Sequence, residues 1–170
     1  MSHDDDIDQQ AWQLLLDHLQ GATPQQRHLF AARSNYDGNR DALQWLADDP
    51  RTERATALLM YWALGAEFHA QYATDDEVPG WASGSHRLIR QIEERFLAGF
   101  YATGTLYFDP RHGPVPPGDY ADVEQKRPIP PAMLTAVMGS EEVDLDDEDY
   151  DEGLPMAVAE AIWALYQQDR

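Results

Sequence analysis

The sequence contains no cysteine. Disulfide bonds, thiolate metal ligands and cysteine nucleophiles are therefore excluded, and such a chain suits a reducing compartment. The sequence also lacks any apolar run approaching the ~18–20 residues that a bilayer-spanning helix needs. Its first six residues, MSHDDD, are acidic where a secretory signal would be basic and then apolar. Together these features predict a cytoplasmic protein.

Basic residues are scarce, with 12 Lys and Arg against 31 Asp and Glu and a net charge of −19. A nucleic-acid-binding protein of this size would normally be basic. Phosphate backbones and anionic lipids would repel this chain, so we predict neither nucleic acid nor membrane as a partner. A strongly negative surface favours fast, salt-sensitive association with a basic partner, but it can also serve solubility alone.

Recognisable catalytic motifs are absent as well. The sequence has no G-x-S-x-G, no H-E-x-x-H and no glycine-rich phosphate loop. Its histidines, at positions 3, 18, 28, 69, 86 and 112, are never three or four residues apart, which is the spacing of a helical metal pair. We therefore predict no catalytic residue, no metal and no cofactor. An unrecognised hydrolase or transferase that uses two of the many carboxylates in a cleft remains an alternative.

Helical periodicity is the dominant pattern that is present. It predicts helices over residues 7–20, 24–33, 40–47, 52–73, 85–102, 131–138 and 154–168. Residues 104–109 are aromatic and β-branched and favour an extended segment, and seven of the eleven prolines fall within residues 110–131. We predict a single, mainly all-α domain over residues 1–170. It is a bundle of six or seven helices with one long Pro-rich loop and at most a minor β element.

Some helix boundaries carry specific signals. Thr23 and Gln26 flank Pro24 in the pattern of a capping box with proline at the first helical position. Ser85 is the expected N-cap of the helix over residues 85–102. The helix over residues 52–73 is the longest and has a broad apolar stripe, so we expect it at the centre of the bundle.

An acidic segment, EEVDLDDEDYDEG, occupies residues 141–153, and nine of its first twelve residues are acidic. It does not fit an EF-hand loop. A loop beginning at Asp144 would place Asp149 where glycine is required and Pro155 where glutamate is required, and a loop beginning at Asp147 fails at the same two positions. Weak divalent binding stays open. Asp151 and Glu152 directly precede the last predicted helix, whose N-terminus favours carboxylates, and the other acids are left for solvent or a partner.

Most aromatic residues lie in helical apolar stripes, and we expect them in the core. This group comprises Tyr61, Trp62, Phe100, Tyr101 and Trp163. Trp81 differs because it lies in a loop with the sequence VPGWASG. It either plugs the core or forms an exposed anchor for a partner.

The segment HLFAARSNYDGNRDALQWLADDPRTERATALLMYWALG, residues 28–65, resembles the DUF4274 family, small bacterial proteins without an assigned activity. The family pattern is His-x-x-Ala at a helix end, an Asn-Trp/Tyr-Asp-Asp-Gly turn, a proline near the next helix end, and Thr-Ala-Leu before an aromatic pair. The matching residues are His28, Ala31, Asn35, Tyr36, Asp37, Gly38, Pro50, Thr56, Ala57 and Leu58. The chain departs from the pattern by having one aspartate before Gly38 and Glu53-Arg54 in place of Cys-Asp.

A later stretch, YATGTLYFDP at residues 101–110, resembles a continuation found in longer members. The resemblance implies a helical fold and transfers no catalytic residue. We interpret the turn at residues 35–38 as a structural cap in preference to a functional loop.

In size, acidity and lack of motifs the chain is similar to the immunity proteins of bacterial toxin systems. Such proteins occlude a toxin's active site, and those that face basic nucleases are often acidic. By this analogy we predict a non-catalytic binding protein that neutralises a cognate toxin with a basic surface; a housekeeping or regulatory adaptor is the alternative. The predicted partner-binding residues are Asp144, Asp146, Asp147, Glu148, Asp149, Tyr150, Asp151 and Trp81.

Overall fold

The computed structural model describes residues 2–168, and this part of the chain is mainly helical. Its α-helices are α1 (His3–Gly21), α2 (Pro24–Arg33), α3 (Arg40–Asp48), α4 (Arg54–Ala63), α5 (Ala66–His69), α6 (Ser83–Leu97) and α7 (Met156–Gln167). Two short strands, β1 (Tyr150–Asp151) and β2 (Leu154–Pro155), form an antiparallel hairpin. The predicted all-α architecture with a minor β element is confirmed. Within residues 2–168, no helix has the length and apolar character needed to cross a bilayer.

Helix α4 lies at the centre of the core. Every residue from Ala55 to Trp62 is buried, because α2, α3 and α6 pack around this helix. The indole Nε1–H of Trp62 donates to the carbonyl oxygen of Met133 at 2.8 Å, so the largest core side chain keeps its hydrogen bond. Tyr61 is fully buried beside it. The expectation that Tyr61 and Trp62 belong to the core is confirmed.

The beginning of α2 follows its sequence signal. The Thr23 hydroxyl accepts the amide N–H of Gln26 at 3.1 Å, and the Gln26 side chain accepts the N–H of Thr23 at 3.0 Å. Pro24 occupies the first turn. This reciprocal pair satisfies two amide groups that have no partner within the helix.

The prediction of one helix over residues 52–73 is wrong. Helix α4 ends at Ala63, and α5 begins at Ala66 as a separate single turn. The cause is Gly65, whose φ of +90° is a left-handed conformation that stops a helix.

The helix predicted over residues 85–102 also has different limits. It begins at Ser83, so Ser85 lies in the first turn and is not the N-cap, and it ends at Leu97. Gly99 has a φ of +76° and reverses the chain direction after the helix. The following Phe100 is half-buried and Tyr101 is buried, in line with their predicted place in the core.

An extended segment follows α6, as predicted. Leu106 pairs with Glu141 and Phe108 pairs with Val137 in isolated β-bridges. The second bridge explains why the helix predicted over residues 131–138 is wrong. Only a 3₁₀ turn, Pro131–Leu134, forms there, because the backbone of Val137 bonds to Phe108 instead.

The Pro-rich loop, residues 110–131, packs down onto α5. The N–H groups of Lys126 and Arg127 donate to the carbonyl oxygen of Ala70 at 2.9 and 3.0 Å. The N–H of Gly118 donates to the Glu67 carboxylate at 2.7 Å. A loop of this length is thus held against the helices by backbone hydrogen bonds.

The hairpin turns at Glu152 and Gly153, with φ values of +46° and +82°. Two successive positive φ angles are the signature of a type I′ turn. A Cβ on Gly153 would lie 2.7 Å from Phe30 Cα, so only glycine fits between the hairpin and α2. Helix α7 begins at Met156, two residues later than predicted, because Leu154 is paired in the hairpin.

Replacing Gly153 with alanine should lower the free energy of unfolding by about 2–4 kcal/mol. The positive φ accounts for roughly 1 kcal/mol and the clash with α2 for roughly 1–3 kcal/mol. Urea denaturation measures the loss. Gly99→Ala is the matched control, because Gly99 also has a positive φ but a Cβ there would meet no atom within 4 Å. Equal losses in the two variants would show that contact with α2 is unimportant.

Candidate functional site

A groove of about 550 Å³ lies between α1, the turn that leads into α3, the β1–β2 hairpin and α7. Small and aliphatic side chains, among them Ala11, Leu15, Ala159 and Ile162, line its apolar part. Carboxylates and aromatic rings form the rest. The groove lies where α7 packs against both α1 and the hairpin.

Four carboxylates line the groove, those of Asp8, Asp41, Asp151 and Glu152. Asp8 accepts a hydrogen bond from the Tyr166 hydroxyl at 2.8 Å. Among the described residues, the other three carboxylates have no hydrogen bond or ion pair, and no Lys, Arg or His lines the groove. The site therefore presents unneutralised negative charge to whatever enters it.

Three aromatic side chains line the same groove: Trp12, Trp163 and Tyr166. Trp12 is half-buried and packs against the core, whereas Trp163 and Tyr166 are each 47% exposed. The expectation that Trp163 belongs to the core is wrong. Helix α7 buries Ala159 against α1, and this orientation leaves Trp163 facing the groove and solvent.

The hairpin determines where two of the carboxylates lie. Asp151 ends β1 and Glu152 occupies the first turn position, so both sit at the groove instead of at the N-terminus of α7. No acidic residue lies in the first turn of that helix. The proposed interaction of Asp151 and Glu152 with the helix N-terminus is therefore wrong, because Leu154 and Pro155 intervene as β2.

The remainder of the acidic segment is attached to α2. Arg33 donates to the carbonyl oxygen of Leu145 at 2.6 Å, and Gln25 donates to the Glu141 carboxylate at 2.9 Å. The Tyr150 hydroxyl accepts from the Gln26 amide at 3.3 Å. The segment is thus held against the helices and is not a free acidic tail.

Its predicted partner-binding acids divide into three groups. The side chains of Asp144 and Asp147 accept the N–H groups two residues later, at 3.0 and 2.9 Å, and shape Asx turns. Asp146, Glu148 and Asp149 are exposed and make no side-chain hydrogen bond among the described residues. Of the predicted partner-binding residues, Asp151 is the one that lines the groove.

Trp81 is 78% exposed in a 3₁₀ turn, Gly80–Ala82. Its ring lies 6.3 Å from that of Phe68, so it covers the edge of α5 without entering the core. Of the two alternatives for Trp81, the exposed position is the one the structure has. Trp81 is not among the described residues that line the groove, whereas Asp151 is, so the groove does not bring all the predicted site residues together.

A buried histidine pair is the polar cluster that sequence reasoning missed. His69 on α5 and His86 on α6 place their Nδ1 atoms 3.2 Å apart, and His86 Nε2 lies 3.1 Å from the Asp75 carboxylate. Arg127 of the Pro-rich loop donates to the same carboxylate at 3.3 Å. Burial lowers the pKa of His69 to about 4, and the neighbouring positive charges act in the same direction.

His69 and His86 are seventeen positions apart and lie on different helices, so no spacing in the sequence predicts their contact. The contact results from the packing of α5 on α6. No group of three or more His, Asp or Glu side chains in the described part of the chain is arranged to hold a metal ion.

Residues that carry the family resemblance contact one another. His28 Nδ1 lies 2.9 Å from Thr56 Oγ1, which joins α2 to α4. The Tyr36 hydroxyl donates to the carbonyl oxygen of Ala31 at 2.6 Å. The Asn35 side chain accepts the N–H two residues later at 3.1 Å. These contacts support the interpretation of the turn at residues 35–38 as a structural cap.

Comparison with known proteins assigns one part of the chain. Residues 22–97 match the family model DUF4274, a domain of unknown function. No curated protein and no solved structure matches the chain. The protein is DUF4274-like over α2 to α6, whereas α1, the hairpin and α7, which supply most of the groove, lie outside the match.

The free energy of unfolding should fall as the pH drops from 6.5 towards 4. Burial lowers the pKa of both His28 and His69 from 6.5 to about 4, so in this range the unfolded chain takes up protons that the folded protein does not. This stability is complete above pH 6.5, and each histidine accounts for a loss of up to about 3 kcal/mol by pH 4. Urea denaturation at a series of pH values measures it.

The contribution of His69 is isolated by His69→Gln, whose stability should depend less steeply on pH over this range. His112→Gln is the control, because His112 is exposed. A slope unchanged in His69→Gln would contradict the assignment.

Proposed function

We propose that this DUF4274-like protein is a non-catalytic binding protein that acts as an immunity protein in the cytoplasm. It would bind a cognate bacterial toxin and occlude the basic surface at the toxin's active site. The observation that carries the proposal is the groove, which combines four carboxylates with three aromatic rings and has no cation among the described residues that line it. Charge and aromatic surface of this kind suit a basic protein segment.

The distribution of internal ion pairs supports a basic partner. Much of the scarce positive charge is already paired with carboxylates of the same chain: Arg27 and Arg51 both pair with Asp49, and Arg111 pairs with Asp109. Within residues 2–168, the groove carboxylates form no such pair. A net charge of −19 adds a long-range field that accelerates encounter with a positive surface.

The exposed aromatic rings would supply affinity once the partner has arrived. Trp and Tyr side chains dominate the binding energy of many interfaces, because each buries a large area at a small cost in conformational entropy. Trp163 and Tyr166 are fixed on a helix that packs against α1. The helix therefore sets the position of both residues before the partner binds, and the hydrogen bond to Asp8 also holds the Tyr166 ring.

The lining of the groove favours binding over catalysis. Among the described residues no histidine, serine, threonine or lysine lines it, so it lacks the nucleophile and base of hydrolases and transferases that use these residues. Occlusion of a toxin needs no such group. An adaptor with a different protein partner would use the same surface, and the partner's activity separates that alternative from the immunity function.

The test is co-expression with any growth-inhibiting protein encoded next to this gene, with growth rescue and binding kinetics as readouts. Wild-type protein should restore growth, and its association rate should fall as salt is raised. A groove variant, Asp41→Asn with Asp151→Asn and Glu152→Gln, should associate roughly tenfold more slowly, with a weaker dependence on salt. Absence of rescue together with absence of binding by the wild type would refute the immunity function.

A charge-matched control separates the groove from the acidic segment. The variant Asp146→Asn with Glu148→Gln and Asp149→Asn also removes three charges, and these side chains are exposed and make no hydrogen bond. It should slow association less than the groove variant does. A larger effect in this control would place the contact on the acidic segment, as the sequence alone predicts.

A further inference from the structure

We infer that the groove receives an arginine side chain of the partner in preference to a lysine. The inference rests on the proposed function, because it specifies the basic group that the groove binds. It follows from an arrangement that the protein already uses twice within its own fold.

In each internal example a guanidinium lies against an aromatic face and also pairs with a carboxylate. The guanidinium carbon of Arg27 lies 5.1 Å from the Trp45 ring centre, and its Nη1 lies 3.2 Å from the Asp49 carboxylate. Likewise, the guanidinium carbon of Arg95 lies 5.3 Å from the Phe100 ring centre, and its Nη1 pairs with the Asp48 carboxylate. Ring and carboxylate together define a site for a flat cation.

The groove contains the ring and the carboxylates of this arrangement, and none of the described residues that line it is a cation. Trp163 and Tyr166 expose aromatic surface, and Asp8 is fixed next to them by the Tyr166 hydroxyl. Asp151 and Glu152 line the same groove and are unpaired among the described residues. A guanidinium from the partner would supply the cation that the two internal examples contain.

The chemistry of the two basic side chains favours arginine. A guanidinium is planar and weakly hydrated, so it stacks on a tryptophan face and still donates two parallel hydrogen bonds to a carboxylate. An ammonium group is a strongly hydrated point charge and gives up more hydration to make the same contacts. The aliphatic part of the arginine would lie along the apolar part of the groove, near Ala159 and Ile162.

Three blocked tripeptides test the inference: Gly-Arg-Gly, Gly-Lys-Gly and Gly-citrulline-Gly. Each is titrated into the full chain while the Trp163 indole N–H signal is followed by NMR, with the signal assigned by its loss in Trp163→Phe. The arginine peptide should bind at least about fivefold more tightly than the lysine peptide. Citrulline has nearly the same shape as arginine but no charge, and it should not bind measurably.

Variants show whether the ring carries the preference. Because both Trp163 substitutions remove the indole signal, the affinities of the variants are measured by isothermal titration calorimetry. Trp163→Leu should bring the two affinities together, whereas Trp163→Phe keeps an aromatic face and should retain most of the preference. Met138→Ala is the control, because it removes an exposed apolar side chain that does not line the groove. An arginine-to-lysine ratio unchanged in Trp163→Leu would refute the stacking role.

Failure of this inference can be told apart from failure of the proposed function. Equal binding of the arginine and lysine peptides overturns the inference, while the toxin experiment would still show salt-dependent binding and growth rescue. Absence of binding by all three peptides also overturns it. A wild-type protein that neither binds the toxin nor restores growth overturns the proposed function, whatever the peptides show.

Discussion

The burial of α4 on all sides is the constraint from which the rest of the fold follows. A helix in which every residue from Ala55 to Trp62 is inaccessible must be covered completely, and α2, α3 and α6 each cover part of it. The hydrogen bond from Trp62 to Met133 brings a fourth, non-helical segment onto the same helix. The extended segment is fixed by β-bridges, and the Pro-rich loop by hydrogen bonds to the end of α5, which directly follows α4. These backbone hydrogen bonds order a long irregular stretch in a chain with few strands.

The groove lies beside α7, a helix that, unlike α4, is only partly covered. Helix α7 is covered on one side by α1 and the hairpin, and Ala159 is its one buried residue within the described range. Trp163 and Tyr166 lie on the same helix face as Ala159, towards the groove, and remain 47% exposed there. The family match ends before this part of the chain. The family match covers α2 to α6, whereas α1, the hairpin and α7, which carry most of the charged and aromatic surface of the groove, lie outside it.

The sequence correctly predicted those helix ends that depend on residues a few positions apart. The capping box at Thr23 and the termination near Pro50 follow from backbone chemistry that acts over a few positions. Gly65 carried a signal of the same kind, but the apolar stripe on either side of it favoured a continuous helix. The exposure of Trp163 and the meeting of His69 with His86 depend on which helix faces them, and periodicity contains no such information. The acidic composition predicted the sign of the groove's charge but not its location.

The contact between α1 and α7 determines when, during synthesis of the chain, the groove can form. These helices are joined by the whole of the intervening chain, so their contact is among the most distant in sequence. During synthesis α2 to α6 can assemble around α4 long before α7 is available. The groove can therefore form only after α7 has been synthesised. Any occupant that spans α1 and α7 would fasten the two helices together and oppose their separation.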